Sequence, residues 1–274
     1  MADNRALNEL KRVLLHDSEI LPVHADDVRY KRQKIRVGAA LVEIGQAMYA
    51  KALGSYFCSG DIKGFKQNCY VSSRAYLESA KYDGGEKFAT AHSFLVAILS
   101  DNLELVNAFA KVSAPESTLH RNNPHAIESH IYLIQLALRG EDTNLQKHVH
   151  LLRQQSPGKG KDVHDLQEFF LLLAGRDKDA LERLIQEKHA RIKSAHPYER
   201  DLMSFLGCLE TKLCWLRDIP VEINHPLVPM ALMPIQPLPN YDDVFDFLRP
   251  DWAPPPQGPL ADALRWFQKR RSLG

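Results

Sequence analysis

Two short stretches of this chain read Leu138-Arg139-Gly140-Glu141-Asp142 and Leu173-Ala174-Gly175-Arg176-Asp177, so that Gly140 and Gly175 lie 35 residues apart. Each stretch follows a segment whose apolar residues recur every three or four positions, as one face of an α-helix requires. Glycine commonly ends a helix, and an acidic residue is favourable in the first turn of the next one. We therefore expect two equivalent turns within helix–turn–helix pairs, a pattern typical of stacked helical hairpins.

The same periodicity extends over nearly all of the first 217 residues. A short first helix is predicted around Leu7, Leu10 and Leu14, and the last strong helix runs from about 197 to 217. The long second helix has apolar residues on two faces, so it is expected to lie at the centre of the fold. The prediction is an all-α fold in which residues 3–217 form an array of antiparallel helical hairpins. A regular solenoid-like stack and an irregular bundle both remain open.

The composition changes abruptly after this array, because eleven of the 16 prolines lie between residues 220 and 259. Long helices do not continue through such a density of proline. The segment is nevertheless rich in apolar residues, so we expect an ordered strap over the helices, with a short helical turn at 241–248. A final helix is predicted from Leu260 to about Arg271. The strap and terminal helix occupy about residues 218–274, and the whole chain, 1–274, is expected to be one domain.

Composition excludes several classes of protein. Lys and Arg number 35 against 34 Asp and Glu, which does not favour a general nucleic-acid binder, since these carry a basic excess. The four cysteines show no C-x-x-C spacing, and there is no run of roughly 18 apolar residues, the length that a membrane span needs. The N-terminal segment carries acidic residues and no apolar core, so it does not resemble a signal peptide. We expect a reduced, cytoplasmic protein without a membrane segment.

The residues offer no clear arrangement for catalysis. Twelve histidines invite a metal hypothesis, but His120, His125 and His130 recur at intervals of five, which spreads them around a helix. There is no H-E-x-x-H or zinc-type spacing, and Cys208 lies among core positions of a helix. The loop 155–160 is glycine-containing but lacks the spacing of a phosphate-binding loop. We therefore expect a protein that is not an enzyme and has no cofactor and no metal.

Two charged stretches are candidate surfaces. The basic run 29–36 places Arg29, Arg32 and Arg36 on one helix face, which is either a solvated face or a dock for an anionic surface. In the proline-rich segment, an acidic-aromatic patch suits a basic protein partner, since aromatic residues anchor interfaces and carboxylates steer cations. Alternatively, its aromatic residues simply fix the strap to the core. The candidate partner-binding residues are Tyr241, Asp242, Asp243, Asp246 and Trp252.

About 40 residues of the C-terminal third resemble a known family. The stretch from Lys212 to Pro229, followed by Tyr241 and Asp246-Phe247-Leu248, is similar to the C-terminal signature of the Immunity protein 49 family. These bacterial proteins are encoded beside polymorphic or secretion-delivered toxins and protect the producer and its kin. The matching positions are Lys212, Leu213, Trp215, Val221, Glu222, Pro229, Tyr241, Phe247 and Leu248. Cys214 replaces a small residue, and Asp218 stands where many relatives carry glycine.

The resemblance implies an all-helical, non-enzymatic inhibitor of a toxin domain, and it transfers no binding site. The leading hypothesis is an immunity protein that binds its cognate toxin and occludes the active site or substrate access. The first alternative is a helical-repeat adaptor for protein–protein interaction without a toxin partner, suggested by the 35-residue spacing. The second is a metal-dependent enzyme or hydrolase, suggested only by the histidine count.

Overall fold

The computed structural model describes residues 4–113, 115–155, 161–196, 198–261, 263 and 265. These residues form helices that pack against one another, and no strand occurs among them, so the predicted all-α class is confirmed. The α-helices are α1 Asn4–Tyr30, α2 Val37–Ser59, α3 Ile62–Ser79, α4 His92–Leu99, α5 Leu103–Phe109, α6 Pro115–His120, α7 Ile127–Arg139, α8 Asp142–Gln155, α9 Lys161–Gly175, α10 Lys178–Glu187 and α11 Phe205–Leu216. Short 3₁₀ turns cover His189–Arg191, Met230–Leu232 and Asp246–Leu248.

Helix α2 lies between α1 and α3 and is buried on both sides, as its two apolar faces predicted. The α2–α3 turn uses Gly60, whose φ of 68° is favourable for glycine, and Asp61, whose carboxylate caps α3 by accepting from the Gly64 amide at 2.9 Å. Gly45 permits close packing, because a Cβ there would lie only 2.7 Å from the Tyr76 ring. These features pack α2 tightly against α3.

The two repeated turns occur where the sequence predicts them, at the α7–α8 and α9–α10 junctions. They are not equivalent residue for residue. Gly140 has a φ of 72°, but in the second turn the left-handed residue is Arg176, with a φ of 56°, one position after Gly175. Gly175 is still part of α9, so this helix includes its glycine, whereas α7 ends one residue before Gly140. The same pattern of backbone hydrogen bonds then closes both turns.

Both turns contact the start of the strap. Arg217 donates to both carboxylate oxygens of Asp142, at 2.9 and 2.8 Å, and Arg176 donates to the Asp218 carbonyl oxygen at 3.2 Å. The two hairpin turns therefore fix the position of residues 217 and 218, where α11 ends and the strap begins.

The strap is ordered and packs over the helices, as predicted. Its first part, with Val221, Ile223, Leu232 and Met233, enters the large core that also contains the centres of α3, α4, α7 and α11. Further along, Phe245, Phe247 and Leu248 enter a second core between α1, α2 and α3. Of the predicted helical turn at 241–248, only Asp246–Leu248 is helical. The predicted terminal helix Leu260–Arg271 and the loop 155–160 fall mostly outside the described residues.

Three predicted boundaries are wrong. The first helix is long, not short, since α1 continues through Pro22 and its second half buries Ala25 and Val28 against the second core. Because α1 ends at Tyr30, most of the basic run 29–36 lies in the α1–α2 connection rather than on one helix. The helix expected from about 197 begins at Phe205, after the side chain of Ser204 caps it by accepting from the Gly207 amide.

Candidate partner-binding surface

The strap is fastened to the helices by a buried cluster of three charges. Asp101, in the left-handed turn after α4 (φ 58°), lies 2.6 Å from Lys212 Nζ and 2.8 Å from Lys66 Nζ. All three side chains are at most 4% exposed. Both ammonium groups also donate to strap carbonyls, Lys212 to Leu232 and Lys66 to Gln236, each at 2.8 Å. Burial lowers the pKa of Lys212 to about 8, although Asp101 acts in the opposite direction.

Single hydrogen bonds fix other points of the strap. The Trp215 indole donates to the Val221 carbonyl at 3.1 Å, and the Tyr241 hydroxyl donates to the Ser100 carbonyl at 2.7 Å. The amide of Glu222 donates to Glu182 on α10 at 2.7 Å. The Val221 side chain is buried, whereas that of Glu222 is exposed. The residues of the resemblance thus determine how the strap runs over the helices.

Arginine side chains of the helices under the strap partly neutralise the acidic-aromatic patch. Asp246 accepts from Arg29 Nε at 2.7 Å, and Asp243 lies 3.4 Å from Arg74 Nε. Asp243 also accepts from the Tyr70 hydroxyl at 3.1 Å. Burial, together with the charge of Asp243, raises the pKa of Tyr70 to about 12, so this phenol stays protonated and donating. These two carboxylates fasten the strap to α1 and α3.

Aromatic side chains of the strap also contact the basic run 29–36. The Arg32 guanidinium lies 5.3 Å from the Trp252 ring centroid, and Arg29 lies 5.4 Å from that of Phe247. Arg29 and Arg32 of the basic run therefore contact the strap of the same chain, whereas Arg36 pairs with Asp83 between α3 and α4.

Asp242 differs from its neighbours. It is exposed, and its backbone rather than its side chain is fixed, by hydrogen bonds to both ends of the Gln67 amide. The structure thus places Tyr241, Asp242 and Asp243 of the strap edge beside α3, and Asp246 and Trp252 beside Arg29 and Arg32, with Asp242 as the most accessible carboxylate of the five. A role of these five residues in binding a partner stays a prediction.

The other candidates from the sequence do not come together. Among the described residues, no group of three or more His, Cys, Asp or Glu side chains is arranged to hold a metal ion. Cys208 is fully buried, and burial raises the pKa of its thiol, which disfavours the nucleophilic thiolate. Within the described part of the chain, no helix is both long and apolar enough to cross a membrane.

The residues that fasten the strap from the helix side, Lys66, Arg74 and Asp101, were not predicted from the sequence. The sequence contains one signal for the buried cluster. Lys212 lies three residues after Leu209 and four before Leu216, on the apolar stripe of its helix. A charge on such a stripe indicates a buried partner of opposite sign. Nothing in one sequence identifies that partner as Asp101.

Comparison with known proteins gives no assignment. No family model matches the chain, and neither the curated proteins nor the solved structures contain a significant match.

Proposed function

We propose that this chain is an immunity protein that binds a cognate bacterial toxin and blocks its active site or the access of substrate to it. The observation that carries the proposal is the backbone at Asp218, where the chain turns from α11 into the strap with a φ of 54°. This conformation favours glycine, and aspartate is among the few other residues that adopt it readily. In the family that the C-terminal stretch resembles, many members carry glycine at this position. The positive φ suits both that glycine and the Asp218 of this chain, which supports the resemblance.

The other matching residues support the same proposal through what they contact. Lys212, Trp215 and Tyr241 each donate a hydrogen bond that positions the strap. Phe247 and Leu248 are buried in the second core. The resemblance therefore concerns the residues that build one particular surface over a helical scaffold.

Such a surface suits inhibition by occlusion. A strap held at many points loses little conformational freedom when a partner binds, which favours tight association. An interface of roughly 1,600 Å² with a few aromatic or arginine anchors suffices for very tight binding. On the strap edge, Tyr241 and Trp252 offer the aromatic surface and Asp242 an exposed carboxylate, which together suit a toxin with a basic face.

Co-expression tests the proposal directly. An immunity gene is expected to lie beside a toxin-domain gene; that neighbouring gene is induced in the presence and absence of the chain, and cell survival is measured. We expect rescue, and we expect the purified toxin and chain to form a stable complex. A folded chain that neither rescues the cells nor binds the neighbouring toxin would contradict the proposal and leave the adaptor hypothesis.

A matched pair of variants tests the strap edge. Asp242→Ser removes an exposed carboxylate, so we expect slower association with the toxin at low salt, by about 2-fold or more, and unchanged stability. Asp243→Ser removes the acceptor of Tyr70 and the partner of Arg74, so we expect a loss of about 0.5–1.5 kcal/mol in the free energy of unfolding. Stopped-flow association and urea unfolding measure the two effects. Equal association rates for wild type and Asp242→Ser would remove this carboxylate from the interface.

A further inference from the structure

A cavity of 390 Å³ opens among the helices of the array. Its walls come from the start of α7, from α8, α9 and the start of α11, and from Ile192 after the 3₁₀ turn. Most of the lining is apolar, including Leu133, Leu152 and Phe205. A volume of this size is in the usual range of small-molecule sites, about 300–1,000 Å³, and such sites are mostly apolar with a few polar groups.

Two polar side chains of the lining have no hydrogen-bond partner among the described residues. Gln167 on α9 is only 3% exposed, and its Oε1 is buried without a partner. His130 on α7 lines the same cavity, packs its ring edge-to-face on Phe170, and makes no hydrogen bond within the described part of the chain. By contrast, Ser129 beside it is satisfied, since its hydroxyl donates to the Ala126 carbonyl at 2.8 Å.

An unpartnered buried amide is costly, about 1–3 kcal/mol, so a group that enters the cavity and pairs with it gains that energy back. The amide of Gln167 can present either its oxygen or its nitrogen by rotation, so it can pair with a donor or an acceptor. Burial, together with the charge of His189, lowers the pKa of His130 to about 4, so this ring is neutral at pH 7. No Asp, Glu, Lys or Arg is among the described lining residues, which disfavours a charged ligand.

We propose that this cavity binds a neutral, largely apolar small molecule with one hydrogen-bonding group, an aromatic amine, amide or hydroxyl, and that Gln167 and His130 bind this group. The opening of the cavity suits the apolar remainder of such a molecule, because Ile127 and Ile192 line the cavity and are about half exposed. This site goes beyond the proposed inhibition of a toxin and does not depend on it.

Binding of N-phenylnaphthylamine to the full-length chain tests the proposal. This probe is neutral and apolar, carries one N–H donor, and becomes fluorescent when it leaves water. We expect saturable binding by the wild type. Ile127→Glu places a carboxylate at the mouth and should weaken binding by about 10-fold or more, because a charge is poorly tolerated beside an apolar ligand. The matched control Leu15→Glu, at an exposed leucine of α1, should bind as the wild type does.

The role of Gln167 is tested with a second probe, the N-methylated analogue, which lacks the donor. In the wild type we expect the unmethylated probe to bind about 3- to 10-fold more tightly than the methylated one, as the value of one hydrogen bond implies. Gln167→Leu should reduce this preference, and circular dichroism should confirm that the variant is folded. Three results would each overturn the proposal: absence of saturable binding, equal binding by Ile127→Glu, or an unchanged preference in Gln167→Leu. The last of these would indicate that the Gln167 amide is hydrogen-bonded only by water.

Discussion

Replacement of Asp101 by asparagine is expected to lower the free energy of unfolding by about 3–5 kcal/mol, the usual cost of removing one partner from a buried ion pair. The variant leaves the ammonium groups of Lys66 and Lys212 buried, at most 4% exposed, without the anion that lies between them. Asparagine has the same shape as aspartate and tolerates the φ of 58° at this position, so the backbone is not the cause. Urea unfolding followed by circular dichroism measures the loss.

The lysines give the matched control. Lys66→Met removes one of two cations and leaves Asp101 paired with Lys212. Its main effect is that the Gln236 carbonyl loses a hydrogen-bond donor, so we expect a loss of about 1–2 kcal/mol in the free energy of unfolding. If Asp101→Asn costs less than Lys66→Met, the cluster is not held by its central anion.

The loss in Asp101→Asn should also depend on pH. Lys212 has a folded-state pKa of about 8, below its ordinary value of 10.5, so proton release from the folded chain becomes favourable as the pH rises. Without Asp101, which raises this pKa, Lys212 releases its proton at a lower pH than in the wild type. The defect of the variant relative to wild type should therefore shrink as the pH rises from neutral towards about 8.

The helices were predictable because their signal is local. Apolar residues three and four positions apart define a helix face, and the turns carry glycine or a capping side chain. The ordered strap was predictable too, since a proline-rich segment with so many apolar residues has a face to bury. The length of α1 was missed because Pro22 is an ordinary reason to end a helix, and the packing of Ala25 and Val28 outweighs it.

The strap edge was only half predictable. The acidic stretch and the basic run both stand out in the sequence as charged surfaces. That Arg29 pairs with Asp246 depends on how α1 and the strap lie in space, and more than two hundred residues separate them in the chain. The same limit applies to the cavity, because Gln167 and His130 belong to different helices and neither has a local pattern that indicates a shared space.

Glu199 is a second buried charge whose removal is expected to be severe. It is completely buried, and its two oxygens accept from the hydroxyls of Tyr49 and Ser194, each at 2.5 Å. His92 Nε2 lies 3.7 Å away. Glu199→Leu leaves both hydroxyls buried without an acceptor, so we expect a loss of about 3–5 kcal/mol in the free energy of unfolding. Glu199→Gln keeps an acceptor and should cost less, and Glu19→Leu, at an exposed glutamate of α1, should change stability by less than about 0.5 kcal/mol.

The same carboxylate should contribute to unfolding in acid. Burial raises the pKa of Glu199, but the charge of His92 nearby and the hydrogen bonds from Ser194 and Tyr49 outweigh it, so the folded-state pKa lies below the ordinary 4.5. A carboxyl group with a lowered pKa stabilises the fold above its unfolded value, and this contribution is lost as the pH falls below 4.5. Stability of the wild type should therefore fall more steeply below that pH than stability of Glu199→Gln, which has no proton to take up there. Parallel acid profiles for the two proteins would show that Glu199 does not contribute to acid unfolding.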